Sequence, residues 1–351
     1  MTDSAAVPSA SAAELRRRPL GLRLMAVYGS GNIADAVTQA ALGAFLFFYL
    51  TEVCGLSNSF AGLSLFLALA VDAVADPLVG SISDSSWSRL GRRHPFMLAA
   101  ALPLAVALGL VFSVPRGLTG LPLFAYVTTI SIVLRISHSV YFLPYIGLRA
   151  ELSDDYAERT NIVAARFLFS PLGTAVAFVF GSRLFGAGKY NHEAYAPFGW
   201  ACAAVVLAAV VFCALGTLGA LPRLHRVRPS AGSLATRFFR DIGEIFRNRS
   251  FVILFASLLF TFVGAGTAAT LTLHTATFFW KLPGWAIQLI AFSGPAGLLI
   301  GVPISVFLSN RFEKRSVVIA CFVIVIVYQA ILPVLRIVGL LPLAVRFCTG
   351  C

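Results

Sequence analysis

The sequence predicts an all-α integral membrane protein with about nine transmembrane helices, and three observations predict it. Of its 351 residues, 58% are apolar and only 12% charged, whereas soluble domains carry about 25% charged residues. The mean hydropathy is +0.86. The formal net charge is +12, and the basic residues sit in short loops between apolar runs, a membrane pattern and not a nucleic-acid surface. The 30 Phe and the lack of a glycine period exclude disordered and collagen-like chains. The expected partner is therefore a lipid bilayer, with no nucleic acid.

A spanning helix needs about 20 apolar residues. Runs of that kind cover about 22–50, 59–83, 96–115, 122–149, 161–185, 195–221, 249–279, 285–309 and 316–336. The first is too long for a cleaved signal peptide, and no small-residue cleavage site follows a short apolar core. Residues 1–21 then form a disordered leader, 22–221 an N-terminal six-helix bundle, 222–248 a basic linker, and 249–351 a partial C-terminal bundle of three spans and a tail. Short basic loops after spans two and eight give weak evidence for a parallel repeat of two six-helix halves. On that plan the second half is incomplete.

The basic residues set the orientation. Arg16, Arg17, Arg18 and Arg23 precede span one, and Arg89, Arg92 and Arg93 follow span two. Arg149 and Arg159 flank the next loop on that side, seven arginines from Arg223 to Arg249 fill the linker, and Arg311, Lys314 and Arg315 follow span eight. Nineteen of the 27 basic residues thus share one side, against Arg116, Arg183, Lys189 and Lys281 on the other. The positive-inside rule places the N-terminus and the linker in the cytoplasm of a multi-pass plasma membrane protein, the inner membrane in a bacterium.

Three acids lie deep in apolar runs: Asp35 in span one, and Asp72 and Asp76 in span two. A carboxylate at bilayer depth costs about 2.5–3.5 kcal/mol even on insertion scales. Asp72 and Asp76 are spaced i, i+4, so they share a helix face about 6 Å apart along the axis. Two such carboxylates either share a proton or hold a cation between them, and both outcomes can couple H⁺ or Na⁺ to transport. Satisfaction by arginine in the bundle core is the alternative. Arg135 in span four and Arg166 in span five either neutralise the acids or bind an anionic group. His138 lies on the face of Arg135 and reads as a satisfied core histidine or a proton relay. Gln39, Thr38 and His274 suit a cavity lining or hydrogen bonds between helices.

Other motifs carry less chemistry. Gly297 and Gly301 form a G-x-x-x-G that reads as helix packing. Pro77, Pro144, Pro171 and Pro295 lie in or at the ends of spans, where they bend helices. Of the six Cys, Cys54, Cys202, Cys213 and Cys321 lie in or beside apolar runs and suggest no disulfide framework, and the terminal C-x-x-C at Cys348 and Cys351 has no structured context. No G-x-S-x-G, H-E-x-x-H or P-loop pattern is present, so neither an enzyme nor a cofactor is expected.

A series of motifs along spans one to five resembles a known family. Tyr28, Gly29, Ser30 and Gly31 open it, followed by the run Phe45–Leu56. Asp72, Asp76, Pro77 and Gly80 continue it, then Asp84 and the run Ser88–Pro95 with Arg89, Gly91, Arg92 and Arg93. Pro144–Leu148, Glu151–Thr160 and Arg166 complete it. Taken in order, these blocks are similar to the glycoside–pentoside–hexuronide:cation symporters, the melibiose-carrier-like branch of the major facilitator superfamily. The resemblance implies twelve helices in two six-helix bundles around a central cavity, of which this chain has the first bundle and part of the second. It also implies a small-molecule solute and a coupling cation, Na⁺ or H⁺; a monomer is expected. The cation site would consist of Asp72 and Asp76, as the Na⁺ ligands if sodium is coupled, with Ser139 assisting from span four. Arg166 matches the family's arginine beside the sugar.

Departures fall on the sugar side. The span-one sugar-binding acid would align with Ala36, one residue past Asp35. The span-four acid falls on Phe142, while Ala75 and Leu69 replace polar residues in span two. Asp35, Gln39, Arg135, His138, Phe142 and Arg166 are the expected cavity residues. Phe142 and Arg135 suit an amphipathic or anionic solute better than a neutral disaccharide. Asp84, Arg89, Gly91, Arg92 and Arg93 are expected to form a cytoplasmic gate of inter-bundle ion pairs, or simply to hold the topology. The expected function is cation-coupled symport of a small solute, a sugar or glycoside by resemblance. The alternative is a truncated, non-transporting membrane protein or a remnant of such a symporter.

Overall fold

A computed structural model describes residues 20–86, 88–153, 155–181, 191–223, 247–274 and most of 293–338. The expectations for the leader 1–19, the linker interior 224–246, Arg183, Lys189, Lys281, Pro295, Cys348 and Cys351 lie outside these residues. The chain divides into two units, Met1–Glu244 and Ile245–Cys351.

Among the described residues the first unit contains six helices. Helix α1 (Leu22–Ala41) continues through two π-helical segments, Leu42–Leu46 and Tyr49–Val53. Then follow α2 (Asn58–Ser85), α3 (His94–Val111), α4 (Gly120–Leu152), α5 (Tyr156–Gly181) and α6 (His192–Thr217), which ends in a 3₁₀ turn, Leu218–Arg223. Five stretches, Asn58–Ser85, His94–Val111, Gly120–Leu152, Glu158–Gly181 and His192–Leu221, are long and apolar enough to cross a membrane. Helix α1 is the polar exception, diluted by Ser30, Asn32, Asp35, Thr38 and Gln39; the apolar residues of span one gather in its π-helical continuation.

Local chemistry sets the helix ends. Ser57 Oγ accepts from Phe60 N at the start of α2 (3.4 Å), and Asn191 Oδ1 accepts from Glu193 N at the start of α6 (3.0 Å). Pro95 sits in the first turn of α3, where its missing N–H costs nothing. Gly91, at φ +83°, makes the turn that enters α3. Asp155 Oδ2 accepts from Glu158 N at 2.8 Å, so α5 begins at Tyr156 and only residues 153–155 separate it from α4. Span five therefore starts five residues earlier than hydropathy predicts, because the capped first turn is polar. Arg166 consequently lies ten residues into the helix, deeper than the single turn expected.

The main helix contacts trace one path, α2–α4–α3–α6–α1–α5. Lipid gives helices no hydrophobic reason to associate, so close approach through small residues matters more. A Cβ at Gly173 of α5 would lie 2.7 Å from the Ile33 carbonyl oxygen and 2.8 Å from Ala36 Cβ of α1. A Cβ at Gly29 would lie 2.8 Å from the Phe169 ring. Helices α1 and α4 are joined by tyrosines. Tyr28 and Tyr145 stack at 4.8 Å; Tyr28 Oη donates to the Tyr145 carbonyl (3.2 Å) and Tyr145 Oη to the Tyr28 carbonyl (3.0 Å). Tyr141 Oη donates to the Gly31 carbonyl at 2.7 Å. All three phenols are buried, and each hydroxyl has an acceptor, as burial requires.

The second unit contains α7 (Arg249–His274) and α8 (Lys314–Ile337), with helical residues between 293 and 308. Asn248 Oδ1 caps α7, accepting from Ser250 N at 3.0 Å and Phe251 N at 3.4 Å. The predicted spans 249–279, 285–309 and 316–336 overlap these helical residues, and 275–292 lie outside the described residues. An added Cβ at Gly297 or Gly301 meets no described atom within 4 Å, so the helix packing expected of this pair does not appear among the described residues.

Gly31 tests the packing. A Cβ there would sit 2.6 Å from Tyr145 Cε2, 2.7 Å from Cys213 Sγ and 2.8 Å from Tyr141 Oη. Gly31→Ala should destabilise the protein by about 1–3 kcal/mol through overpacking, read as a lower thermal midpoint in detergent. Gly62→Ala, where an added Cβ meets nothing within 4 Å, should leave the midpoint in place.

Candidate functional site

The intramembrane charges of the first unit gather where α1, α2, α4 and α5 carry their polar residues. Asp72 lies near the middle of α2. Ser139 Oγ of α4 donates to Asp72 Oδ1 at 2.7 Å and lies 3.1 Å from the Arg135 carbonyl. Arg135 Nη1 stands 3.7 Å from Asp72 Oδ2, an ion pair longer than a hydrogen bond. Asp76, one turn further along α2, makes no hydrogen bond or ion pair with the described residues and is half-buried. One carboxylate is thus held by a hydroxyl and a guanidinium, while its neighbour keeps all its acceptor capacity. Two carboxylates and a hydroxyl are hard oxygen donors, suited to a proton or a small hard cation. Among the described residues no group of three or more His, Cys, Asp and Glu side chains could hold a metal ion.

Asp35 and His138 form a second pair, with Asp35 Oδ1 3.1 Å from His138 Nε2. Both are largely enclosed, at 18% and 9% side-chain exposure. His138 stacks on Phe142 at 5.1 Å. The Arg166 guanidinium carbon lies 5.8 Å from the Phe142 ring centre and 4.9 Å from that of Phe167, within cation–π range. Arg166 Nε is buried without a hydrogen-bond partner. The structure thus links Asp35, His138, Phe142 and Arg166 in one chain of contacts, and Asp72, Ser139 and Arg135 in another. Gln39 is exposed and lines a cavity with Arg135. The side chain of His274 is outside the described residues, and Thr38 Oγ1 donates within α1 to the Ala34 carbonyl at 2.8 Å.

Three of the expected gate residues, Asp84, Arg92 and Arg93, meet at the other end of α2. Arg93 Nη2 lies 2.6 Å from Asp84 Oδ1, and Arg93 Nε lies 2.9 Å from Glu151 Oε1. Arg92 Nη2 reaches the same Glu151 oxygen at 2.5 Å. Arg93 also donates to Ser83 Oγ at 3.1 Å, and its guanidinium covers Gly147, where any Cβ would collide with it. Arg89 is exposed. These ion pairs lie within the first unit, tying the α2–α3 turn to the end of α4; the sequence left pairs between bundles and simple retention of topology as alternatives. Glu151 is the residue that sequence reasoning left out of the site. The signal for it was two adjacent arginines beside an apolar span, which need more negative charge than Asp84 alone supplies.

A family model described as MFS/sugar transport protein matches residues 27–348. An uncharacterized symporter of Bacillus subtilis, YnaJ, is 30% identical over 65% of this chain and 48% of its own length. The isoprimeverose transporter of Lactiplantibacillus pentosus is 25% identical over 87% of this chain and 63% of its own. The sodium-dependent lysophosphatidylcholine symporter 1 of Mus musculus is 31% identical over 46% of this chain and 31% of its own. The chain spans less than two thirds of the length of each of these relatives.

The Glu151 cluster yields a stability contrast. Glu151 is 5% exposed and serves two arginines, whereas the Asp84 side chain is 56% exposed. Glu151→Ala should cost about 3–5 kcal/mol by leaving the enclosed Arg92 without a carboxylate and Arg93 with Asp84 alone. Asp84→Asn should cost no more than about 1 kcal/mol, as for a surface pair. Thermal unfolding of the two variants in one detergent compares them directly.

Proposed function

Because the chain belongs to the MFS/sugar transport protein family, we propose that it works as a cation-coupled secondary transporter of a small solute, with Asp72, Asp76 and Ser139 as its cation site. The observation that carries this reading is the unequal acid pair. Asp72 is engaged by Ser139 at 2.7 Å and by Arg135 at 3.7 Å, while Asp76 one turn away has no partner among the described residues. A Na⁺ ion or proton arriving there cancels the repulsion between the two carboxylates and competes with Arg135 for Asp72. The guanidinium is then released toward the solute. Coupling of this kind is reciprocal: solute binding tightens cation binding by the same factor.

Asp35, His138, Phe142 and Arg166 form the solute wall of this reading. It presents an aromatic face beneath a guanidinium whose Nε is unpaired. The names of the relatives support transport of a glycoside or of an amphiphile, and one of them is named as sodium-dependent. The clustering of basic residues fits an N-terminus in the cytoplasm and a bacterial inner membrane. The Arg92–Glu151–Arg93–Asp84 cluster braces α2 against α4 at the end of the bundle, so cation binding at Asp72 is transmitted along α2 as a rigid body.

Uptake into proteoliposomes driven by a Na⁺ or pH gradient tests the cation site. Asp72→Asn and Asp76→Asn should each reduce gradient-driven uptake by at least about 10-fold, the loss of one site charge at roughly 1.4 kcal/mol or more. Gradient-driven uptake at the wild-type rate in both variants would falsify the assignment.

A further inference from the structure

The second half of span one carries a feature that the cation site does not use. Leu42–Leu46 and Tyr49–Val53 are π-helical. Wide turns of this kind are rare and gather at functional sites. Leu42, Gly43 and Leu46 of the first segment form one side of an open-mouthed cavity of about 350 Å³, lined also by Leu65, Phe66 and Leu69 of α2 and by Ser131, Leu134 and Arg135 of α4. This volume lies within the range of small-molecule sites. The walls are apolar apart from three polar side chains, Gln39, Ser131 and Arg135. Ser131 is 3% exposed, and its Oγ is buried with no hydrogen-bond partner. An orphaned hydroxyl at bilayer depth is costly unless something else satisfies it. Arg135 offers five N–H donors, and the one side-chain contact it shows is the 3.7 Å approach to Asp72.

An apolar slot with a hydroxyl and a guanidinium in its wall is complementary to an amphiphile with an anionic head. We propose that this pocket is a subsite for the solute, holding the apolar body of an anionic amphiphile against Leu65, Phe66 and Leu69 while Ser131 and Arg135 bind its head. The proposal rests on the transporter reading and deepens it by naming the solute class. Charge gives the coupling its sign. With Asp72 and Asp76 both ionised, the surroundings of Arg135 repel an anion; a cation on that pair neutralises them and leaves Arg135 free for the head. The anion therefore binds more tightly when the cation is present.

The test uses the full chain in nanodiscs and isothermal titration with hexyl phosphate, hexyl glucoside and inorganic phosphate, each in Na⁺ and in choline buffer and at two pH values. Hexyl phosphate should bind at least about 10-fold more tightly than inorganic phosphate, which lacks the apolar body. The same margin should hold over hexyl glucoside, which lacks the charge. Gly43→Leu fills the slot from a position where an added Cβ meets nothing within 4 Å, and should remove hexyl phosphate binding without lowering the thermal midpoint. Ser131→Ala should weaken it about 5-fold, the loss of one hydrogen bond. Equal binding of hexyl glucoside, or of inorganic phosphate, overturns the solute class. No hexyl phosphate binding, or unchanged affinity in both variants, overturns the pocket. Gradient-driven uptake in the Asp72→Asn and Asp76→Asn variants reads the transporter assignment separately, so either can fail while the other stands.

Discussion

Charge at bilayer depth must find its partner inside the bundle, and the rest of the first unit is arranged around that requirement. Three carboxylates and two guanidiniums sit within the long helices of the unit. No water reaches the core of a bilayer to solvate them, so each exposed charge costs several kcal/mol. Asp35 meets His138, and Asp72 meets Ser139 and Arg135. Helix α4 supplies every one of these partners. It is the longest helix of the unit, and it packs against both α2 and α3. Its position fixes where the polar chemistry of the protein can lie.

Holding α4 in place is then a packing problem, solved by small residues and tyrosines. Tyr28, Tyr141 and Tyr145 bridge α1 and α4, and each hydroxyl donates to a main-chain carbonyl of the opposite helix. Gly31 leaves room for two of these rings and for Cys213 of α6. Glycines at 29 and 173 let α1 lie directly on α5. At the basic end, one buried carboxylate, Glu151, collects two arginines and links the α2–α3 turn to α4. Rigid contacts of this kind leave little freedom for the acids they surround. Asp76 is the exception: among the described residues its carboxylate has no hydrogen-bond or ion-pair partner.

Much of this was legible in the chain itself. Six apolar runs became six helices because a hydrogen-bonded backbone is a requirement in lipid, whatever the side chains. The i, i+4 spacing of Asp72 and Asp76 fixed their proximity before any packing was known. Contacts between helices distant in sequence were not legible. Nothing local in the neighbourhood of Ser131 marks it as orphaned, and nothing in the order of α1 and α4 shows that Asp35 faces His138, 103 residues away. Glu151 was visible only as part of a polar loop, because its arginines are 58 and 59 residues distant. The start of α5 was misplaced because hydropathy marks the apolar stretch and not the capped polar turn before it.

The sequence by itself determined the class of protein, the order of the helices described in the first unit and the candidate acids, because composition and period are local properties of a chain in lipid. Tertiary structure alone decided which acid is partnered among the described residues. It also placed the arginine pairs within the first unit and set a cavity of about 350 Å³ beside the π-helical end of span one. These depend on where helices cross, and crossing points are set by the small residues and rings that meet there, which no reading along a single helix can supply.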